Sequence, residues 1–469
     1  MGDSVVYDYL AGSVLEHGDG GSKLRLATSG GLAAGGPRHQ VLTVTHPHFF
    51  SGFVEHPAVV AAALLMVARV ARTRFYVPPN MLAAILRAAD PVVTCTPEGL
   101  RFESFSACCG VYARLDVSSD ALDAAHSAAG VTNVDVNPPL RQALAGLRGS
   151  EPLHLGVGAD ELRVTTLDEQ AVEEKVPLPS RWLKGFAETQ LVAAGMRLQH
   201  TLDAASARRF VQGLPKSSAT RTVMWATPAV RSLRLASRPG AGAVCVAGPE
   251  RLRVLEPLLR FATGLRVYGA DADARSAPMA SGWVLDLPGA SVTIALSPEK
   301  SRGFSGEGGV LHGLAGAEVA DDADLLSALL AFEPRIDVAR LAADAALTPR
   351  QVTDALGVLA SSGQVGFDLG ASAYFHRPLP LATDALGRLH PRLADAHRLV
   401  EADAVVPSAR PGGYAVRSGA TTYDVRLGGG EGREDADRCT CPWFAKYRGT
   451  RGPCKHVLAA RISAAEGAR

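Results

Sequence analysis

Apolar residues recur at helical spacing in some stretches of the chain and alternate with polar residues in others. Helical spacing predicts helices over Pro57–Ala71, Pro79–Ala89, Asp120–Ala129, Pro138–Leu147 and Leu202–Gly213. Alternation between turn residues predicts strands over Leu100–Phe105, Gly110–Val117, Leu153–Val157, Leu162–Thr166, Val244–Ala247, Trp283–Leu287 and Val292–Leu296. Because the strands fall in runs between single helices, we predict a multidomain α+β protein with mixed or antiparallel sheets.

A different pattern begins after residue 320. A leucine stripe over Leu325–Leu330 predicts one helix, and Val338–Ala345 predicts a second. The sequence Thr348-Pro-Arg-Gln is a capping box that opens a third helix. Two short apolar runs around Gly370 then predict a β-hairpin. This order of elements resembles a winged helix-turn-helix over residues 322–378.

The larger N-terminal part is similar in element order to one domain of a DNA sliding clamp. The likeness rests on Leu100-Arg-Phe-Glu-Ser-Phe-Ser, Gly110-Val-Tyr-Ala-Arg-Leu and Asn133-Val-Asp-Val-Asn with the helix that follows. Residues 202–297 repeat helix, strands, helix, strands. The resemblance implies helices that line a DNA-facing pore, and these helices carry a small excess of arginine. An α+β domain unrelated to clamps is the favoured interpretation of this region.

Three of the seven cysteines lie close together near the C-terminus, beside a histidine. The pattern is Cys439-x-Cys441, a spacer, then Cys454-x-His456. Residues two apart in extended backbone point to the same side, so both members of a pair can bind the same metal ion. Three thiolates and one imidazole fill the four tetrahedral positions of zinc and leave none for water, which predicts a structural site. Free thiols beside an unrelated histidine are the alternative.

Residues 392–466 resemble the SWIM zinc finger family. The likeness rests on the Cys-x-Cys and Cys-x-His pairs, Pro442 after the second cysteine, and a preceding hairpin with Tyr414-Ala-Val and Tyr423-Asp-Val. The resemblance implies zinc binding and contact with DNA or other proteins. With this domain, the chain divides into N-terminal α+β regions at 1–198 and 199–320, a winged-helix-like domain at 322–378 and a zinc domain at 390–469.

Charge restricts the kind of partner that the chain can bind. The chain has 48 basic and 47 acidic residues, so a nucleic-acid contact must be a local patch. One such patch surrounds the cysteines, where Lys446, Arg448, Arg451 and Lys455 occur without acidic neighbours. Trp443, Phe444 and Tyr447 lie between them and offer stacking surfaces. For Trp443 and Phe444, packing in the core of the small domain is the favoured interpretation.

The winged-helix-like segment adds less support for DNA binding. Its third helix begins with Arg350, Gln351 and Thr353 beside Asp354, a weakly basic set for reading DNA. No secretory signal or membrane-spanning stretch is present, so we expect a cytoplasmic protein without membrane contact.

No catalytic motif stands out, and we therefore expect no enzymatic activity. The leading hypothesis is a non-enzymatic module protein that binds one structural zinc ion and contacts DNA. The second hypothesis is a protein-interaction scaffold with the same zinc. The third is an enzyme with an unrecognised site in residues 50–320.

Overall fold

The computed structural model describes residues 14–18, 21–26, 32–33, 49–75, 91–133, 138–147, 151–157, 180–219, 222–230, 232–306, 308–311, 317–379, 390–428, 437–449 and 451–466. The predicted helix Pro79–Ala89 and the predicted strand Leu162–Thr166 lie outside these residues. In the part of the chain that is described, no helix is long and apolar enough to cross a membrane.

In the described residues, runs of strands are separated by helices. The first part contains β1 (Val14–Gly18), β2 (Gly21–Leu26), β3 (Leu32–Ala33), β4 (Phe50–Val54), α1 (Pro57–Arg72), β5 (Val92–Thr96), β6 (Gly99–Phe105), β7 (Val111–Ser118), β8 (Leu122–Ser127), β9 (Gly130–Asn133), α2 (Pro138–Gly146) and β10 (Leu153–Val157). The second part contains α3 (Ser180–Ala194), β11 (Arg197–Asp203), α4 (Ala204–Gln212), β12 (Val223–Ala229), β13 (Ser232–Ala236), β14 (Val244–Ala247), a 3₁₀-helix (Pro249–Leu258), β15 (Gly264–Gly269), β16 (Ser281–Leu287) and β17 (Ala290–Leu296). The C-terminal part contains α5 (Ala317–Leu329), α6 (Val338–Ala345), α7 (Pro349–Ser361), β18 (Val365–Asp368), β19 (Ala373–His376), α8 (Pro391–Glu401), β20 (Val405–Pro407), β21 (Gly413–Ser418), β22 (Thr421–Arg426), β23 (Arg438–Cys439), α9 (Pro442–Tyr447) and α10 (Lys455–Glu466).

These elements confirm the predicted α+β class. One sheet runs in the order β11-β15-β16-β17-β7-β6-β5-β9-β3, and every neighbouring pair in it is antiparallel. A second sheet, β1-β2-β10-β4-β8, is mixed, because β2 and β10 are parallel. The pairing of β7 with β17 joins the first two parts of the chain in one sheet. The domain boundaries given above remain predictions.

The prediction of a helix over Asp120–Ala129 is wrong. Residues 122–127 form the edge strand β8, which pairs antiparallel with β4. The alanine content of this stretch favours a helix, but pairing with β4 satisfies the backbone groups of the segment along the sheet edge. Helix α3 is the converse case, since it is present and was not predicted.

One apolar core underlies these two sheets. Phe102, Leu115 and Trp283 are fully buried in it, and Phe210 of α4 stacks on Trp283 with ring centroids 5.4 Å apart. Arg251, in the 3₁₀-helix, is also fully buried and donates hydrogen bonds to the carbonyls of Gly110 and Ser297 at 2.7 Å each. Burial lowers the pKa of this guanidinium to about 10. Arg251 thus fastens the 3₁₀-helix to the ends of β7 and β17.

Residues 317–379, here called the helical module, contain three helices followed by a hairpin. Thr348 and Gln351 form the predicted capping box of α7, with Thr348 N donating to Gln351 Oε1 at 3.0 Å. Ile336, between α5 and α6, donates its backbone N–H to Tyr374 of β19 at 2.7 Å. The order of elements follows the prediction, while assignment to the winged-helix class remains a prediction.

Buried ion pairs join the helical module to the long sheet. Arg377 and Glu103 are both fully buried and pair at 2.7 Å. Asp368, at the end of β18, pairs with Arg101 and Arg114 at 3.0 Å each. Burial acts to raise the pKa of Asp368, but the charges of Arg114 and Arg101 hold it well below its usual range. The hairpin of the helical module therefore packs on β6 and β7.

Candidate metal centre and basic surface

Residues 390–466, here called the finger, fold around a small apolar core. The strands β20, β21, β22 and β23 form one antiparallel sheet, and α10 packs against α8 and this sheet. Val416 and Val425 from the sheet meet Val457 from α10 in the interior. These strands and helices bring together the four residues that the sequence pattern singled out.

The four predicted ligands converge on one point. The Sγ atoms of Cys439, Cys441 and Cys454 and a ring nitrogen of His456 lie within 4.8 Å of one another, and all four residues are buried. Cys439 Sγ and His456 Nδ1 are 3.8 Å apart. A zinc tetrahedron with Zn–S bonds of about 2.3 Å has edges of about 3.8 Å, so the donor set and spacing fit a zinc ion.

Local backbone structure sets the positions of the first two cysteines. Cys439 ends β23, and Thr440 exchanges hydrogen bonds with Asp424 of β22 at 3.0 and 3.1 Å. Cys441 is the N-cap of α9, where its Sγ accepts the backbone N–H of Phe444 at 3.4 Å. The short Cys-x-Cys segment is therefore held at both ends, by the sheet and by the helix.

The loop before α10 presents the other two ligands. Cys454 immediately precedes α10, and His456 is its second residue. Gly452 in this loop has φ of +72°, and a Cβ there would meet Gly308 O at 2.0 Å, so only glycine fits. The Tyr423 ring stacks on His456 with centroids 4.4 Å apart, which fixes the imidazole plane.

Proton sharing makes Cys454 the most acidic thiol of the cluster. The hydrogen bond with Cys439, helped by those with His456 and Cys441, outweighs burial and lowers the pKa of Cys454 to about 4. The same hydrogen bond, together with burial, raises the pKa of Cys439. A thiolate is therefore ready for a cation, and metal binding must release protons from the neighbouring thiols. Since protein atoms supply all four donors, the finger binds one structural zinc ion.

The four predicted nucleic-acid residues lie on the loop side of this centre. Lys446 and Arg448 are exposed at the end of α9, while Arg451 and Lys455 are half-exposed before and at the start of α10. Lys446 Nζ lies 5.1 Å and Arg451 Cζ 4.4 Å from the centre of the Tyr447 ring. None of these four cations is paired with a carboxylate in the part of the chain that the structure describes. We call these four residues the basic surface.

Two further arginines have contacts that the sequence alone does not indicate. Arg461, the fifth basic residue between Cys439 and Ala465, makes two hydrogen bonds to the Asp437 carboxylate at 2.7 and 2.8 Å, so its charge is neutralised. Arg392, at the start of α8, donates to the carbonyls of Arg451 and Pro453 at 2.9 and 2.8 Å. Its guanidinium also lies 4.8 Å from the Trp443 ring centre. Arg392 therefore holds the loop that presents Cys454, a role without a sequence signal.

The aromatic residues of the finger divide between core and surface. Trp443 and Phe444 are partly buried against the finger core, as the interpretation favoured for these two residues predicted. Tyr447 is half-exposed between the cations of the basic surface.

A groove of about 600 Å³ lies elsewhere, between β11, α4 and the β12–β13 hairpin. Its titratable side chains form hydrogen bonds that stabilise the local fold. His200 Nε2 contacts Gly242 O at 2.7 Å, Asp203 accepts the Ser206 N–H at 2.6 Å as the N-cap of α4, and Arg209 donates to Ser206 Oγ at 2.9 Å.

Comparison with known proteins identifies the finger and leaves most of the chain without an assigned family. Residues 423–464 match the family model of the SWIM zinc finger. This segment is therefore a SWIM zinc finger, as its cysteine and histidine spacing predicted. No curated protein matches the chain.

Two solved structures show distant similarity to this chain. The crystal structure of Proliferating Cellular Nuclear Antigen from Entamoeba histolytica matches 54% of this chain and 99% of its own length at 8% identity, with a TM-score of 0.31. The PCNA2-PCNA3 complex from Sulfolobus tokodaii matches 53% of this chain and 99% of its own length at 6% identity, with a TM-score of 0.33.

Proposed function

We propose that this chain is a non-enzymatic, zinc-stabilised protein that binds DNA through the basic surface of its SWIM finger. One observation carries the proposal: Lys446, Arg448, Arg451 and Lys455 project from a zinc-held scaffold without acidic partners among the described residues. Elsewhere in the finger, Arg461 is neutralised by Asp437. Unpaired cations on a rigid scaffold are suited to phosphate contacts.

The geometry around Tyr447 adds a second type of contact. Lys446 and Arg451 approach the same ring, which keeps two positive charges close to the half-exposed Tyr447. A base of single-stranded DNA could stack on such a ring while the cations contact the neighbouring phosphates. This arrangement favours contact with the DNA backbone and with single-stranded DNA over recognition of a base sequence in duplex DNA.

The non-enzymatic part of the proposal rests on the groove beside β11. His200, Asp203 and Arg209 each use a side-chain polar atom to hold local structure. A catalytic site needs titratable groups that converge on a substrate with atoms free to react. The groove offers no such set among the described residues.

The test is charge reversal on the basic surface. Changing Lys446, Arg448 and Arg451 together to Glu should weaken binding to labelled single- and double-stranded DNA. The slope of log affinity against log salt should fall in magnitude by about three, because about three phosphate contacts are lost. Zinc content, measured by mass spectrometry, should stay the same.

The matched control reverses three positive charges outside the finger. Lys216, Arg234 and Arg238 are exposed and far from the finger in sequence, and their change to Glu should leave affinity nearly intact. Equal affinity of the finger variant and the wild type would place any DNA site elsewhere. A zinc-loaded wild type that binds no DNA at low salt would favour the protein-interaction scaffold.

A further inference from the structure

We propose that three arginines on the outer face of the finger sheet form a second phosphate-contacting surface for DNA. They are Arg410, Arg426 and Arg438, and we call them the arginine row. All three residues are exposed. The inference rests on the proposed DNA binding and adds a separate surface to it.

Strand register places two of the three arginines directly opposite each other. Arg426 of β22 pairs with Arg438 of β23 in the antiparallel ladder. Opposite residues lie on the same side of a sheet, with Cβ atoms about 4.5–5.5 Å apart. Their neighbours Val425 and Cys439 are buried in the finger core. Alternation along the strands therefore directs both arginines away from the zinc centre.

The third arginine comes from the turn between β20 and β21. Gly413 of β21 is the register partner of Arg426 on its other side. A Cβ on Gly413 would lie 3.3 Å from Arg410 Cβ, and Gly413 N donates to Arg410 O at 2.9 Å. The turn therefore folds over Gly413 and brings Arg410 to the side of the sheet that Arg426 occupies.

The arginine row keeps an excess of positive charge on this face. Among the described residues, no carboxylate pairs with a member of the row. Asp437, next to Arg438, is held by Arg461 at 2.7 Å. Asp424 is exposed on the same face as Arg426, two residues earlier in β22, so one carboxylate accompanies three guanidinium groups.

This arrangement suits a chain of phosphates. Like charges directly opposite each other destabilise a sheet, and an anion between Arg426 and Arg438 removes that repulsion. The planar guanidinium group matches two oxygens of a phosphate. Because neighbouring strands are about 4.8 Å apart, the positive charge extends along a line across the sheet, which fits a phosphate backbone better than one small anion.

The zinc centre keeps the arginine row close to the basic surface. Arg438 precedes the ligand Cys439, and Lys455 follows the ligand Cys454. The donor atoms of the ligands lie within 4.8 Å of one another. Covalent geometry therefore places the Cα atoms of Arg438 and Lys455 within about 18 Å of each other, which corresponds to about five phosphates along one strand of B-DNA. This proximity favours DNA over an acidic protein segment as the partner of the row.

The test replaces Arg410, Arg426 and Arg438 together by Gln in the full-length zinc-loaded protein. Binding to a labelled DNA duplex is measured by fluorescence anisotropy across a salt series. Affinity at low salt should fall about tenfold or more, and the slope of log affinity against log salt should fall in magnitude by about three. The triple Lys variant keeps the three charges and should retain the slope.

Zinc content and melting temperature separate lost contacts from misfolding. The triple Gln variant should keep one zinc ion per chain. It should melt at or above the wild-type temperature, because the repulsion between Arg426 and Arg438 is gone. The matched control changes three exposed arginines outside the finger to Gln, namely Arg234, Arg238 and Arg275. This control should lower DNA affinity by less than about twofold.

A competing source of negative charge lies in the sequence between β22 and β23. This segment contains Glu431, Glu434 and Asp435 beside Arg433. The three acids are replaced by Gln, Gln and Asn, both in the wild type and in the triple Gln variant. The loss of affinity caused by the row substitutions should stay at about tenfold or more without these acids. Disappearance of that loss would show that the row pairs with this segment and would overturn the proposal.

The outcomes distinguish this inference from the proposed function. Wild-type affinity in the triple Gln variant, with weak binding by the triple Glu variant of the basic surface, would overturn this inference alone. A wild type that binds no DNA would overturn both. Weak binding by the triple Gln variant, with wild-type affinity in the triple Glu variant, would support the arginine row and reject the basic surface.

Discussion

The finger and the helical module use positive charge in opposite ways. In the helical module and the sheet beneath it, Arg377 and Arg114 are buried and paired with Glu103 and Asp368. In the finger, the cations of the basic surface lie at the surface without carboxylate partners among the described residues. The first arrangement joins two parts of a fold, while the second leaves charge available for a partner.

The comparison shows that counting charges in a sequence does not identify a binding surface. Between Cys439 and Ala465 the finger has a fifth basic residue, Arg461, that pairs with Asp437 in the fold. The hairpin of the helical module ends in Arg377, which is buried in the interface with the long sheet. Substitutions can distinguish charges that stabilise the fold from charges that are free to contact a partner. They can also distinguish folding that depends on metal from folding that depends on apolar packing.

The largest effect should follow removal of a zinc ligand. Cys454→Ala should unfold the finger, because metal binding contributes about 10 kcal/mol or more in a domain with so small an apolar core. Zinc content should fall to zero, and limited proteolysis should cut within residues 390–466 while the helical module stays protected.

The control is a buried cysteine outside the cluster. Cys245, in β14, is equally buried and belongs to a different apolar cluster, so Cys245→Ala should keep one zinc per chain. A Cys454→Ala finger that remains protected without metal would show that apolar packing holds the finger, as it does the helical module.

The next largest effect should come from the interface of the helical module. Glu103→Gln leaves the Arg377 guanidinium buried without its counter-charge, which should cost about 3–5 kcal/mol in denaturant unfolding. Zinc content and DNA affinity should not change. Arg340→Ala is the matched control, because its pairs with Glu333 and Asp344 are long and largely exposed and should contribute little. A loss of zinc in Glu103→Gln would contradict the separation of the two regions.

A smaller, pH-dependent effect should distinguish the same two regions. Burial lowers the pKa of His376 from 6.5 to about 4, and its Nδ1 accepts the backbone N–H of Phe332 at 2.7 Å. Between these pH values the unfolded chain binds a proton that the folded chain does not. Stability should therefore fall as pH drops from about 6.5 to about 4, by up to about 3 kcal/mol.

Comparison with His376→Gln isolates this contribution from the acid sensitivity of the zinc site, which both proteins share. The variant should lose less stability than the wild type over the same pH range, measured by hydrogen exchange of helical-module amides. Equal losses in both proteins would show that His376 is not the group responsible.

The metal site was predictable from sequence because its information is local. Two matched pairs, Cys439–Cys441 and Cys454–His456, carry the ligand set and spacing, and the capping box of α7 was equally visible. The role of Arg392 depends on packing between distant segments, so no local pattern indicates it. Helix α3 was missed, although Trp182, Phe186 and Ala187 recur at helical spacing.

The smallest effect should separate Arg461 from its neighbours on the basic surface. Since Asp437 neutralises Arg461, Arg461→Gln should change DNA affinity by less than about twofold and leave the salt slope unchanged. Arg448→Gln is the same chemical change at an exposed, carboxylate-free position. It should weaken binding about fivefold and reduce the slope by about one. Equal effects of the two substitutions would mean that the Asp437 pair opens when DNA binds, and the distinction between paired and available charge would then fail within the finger.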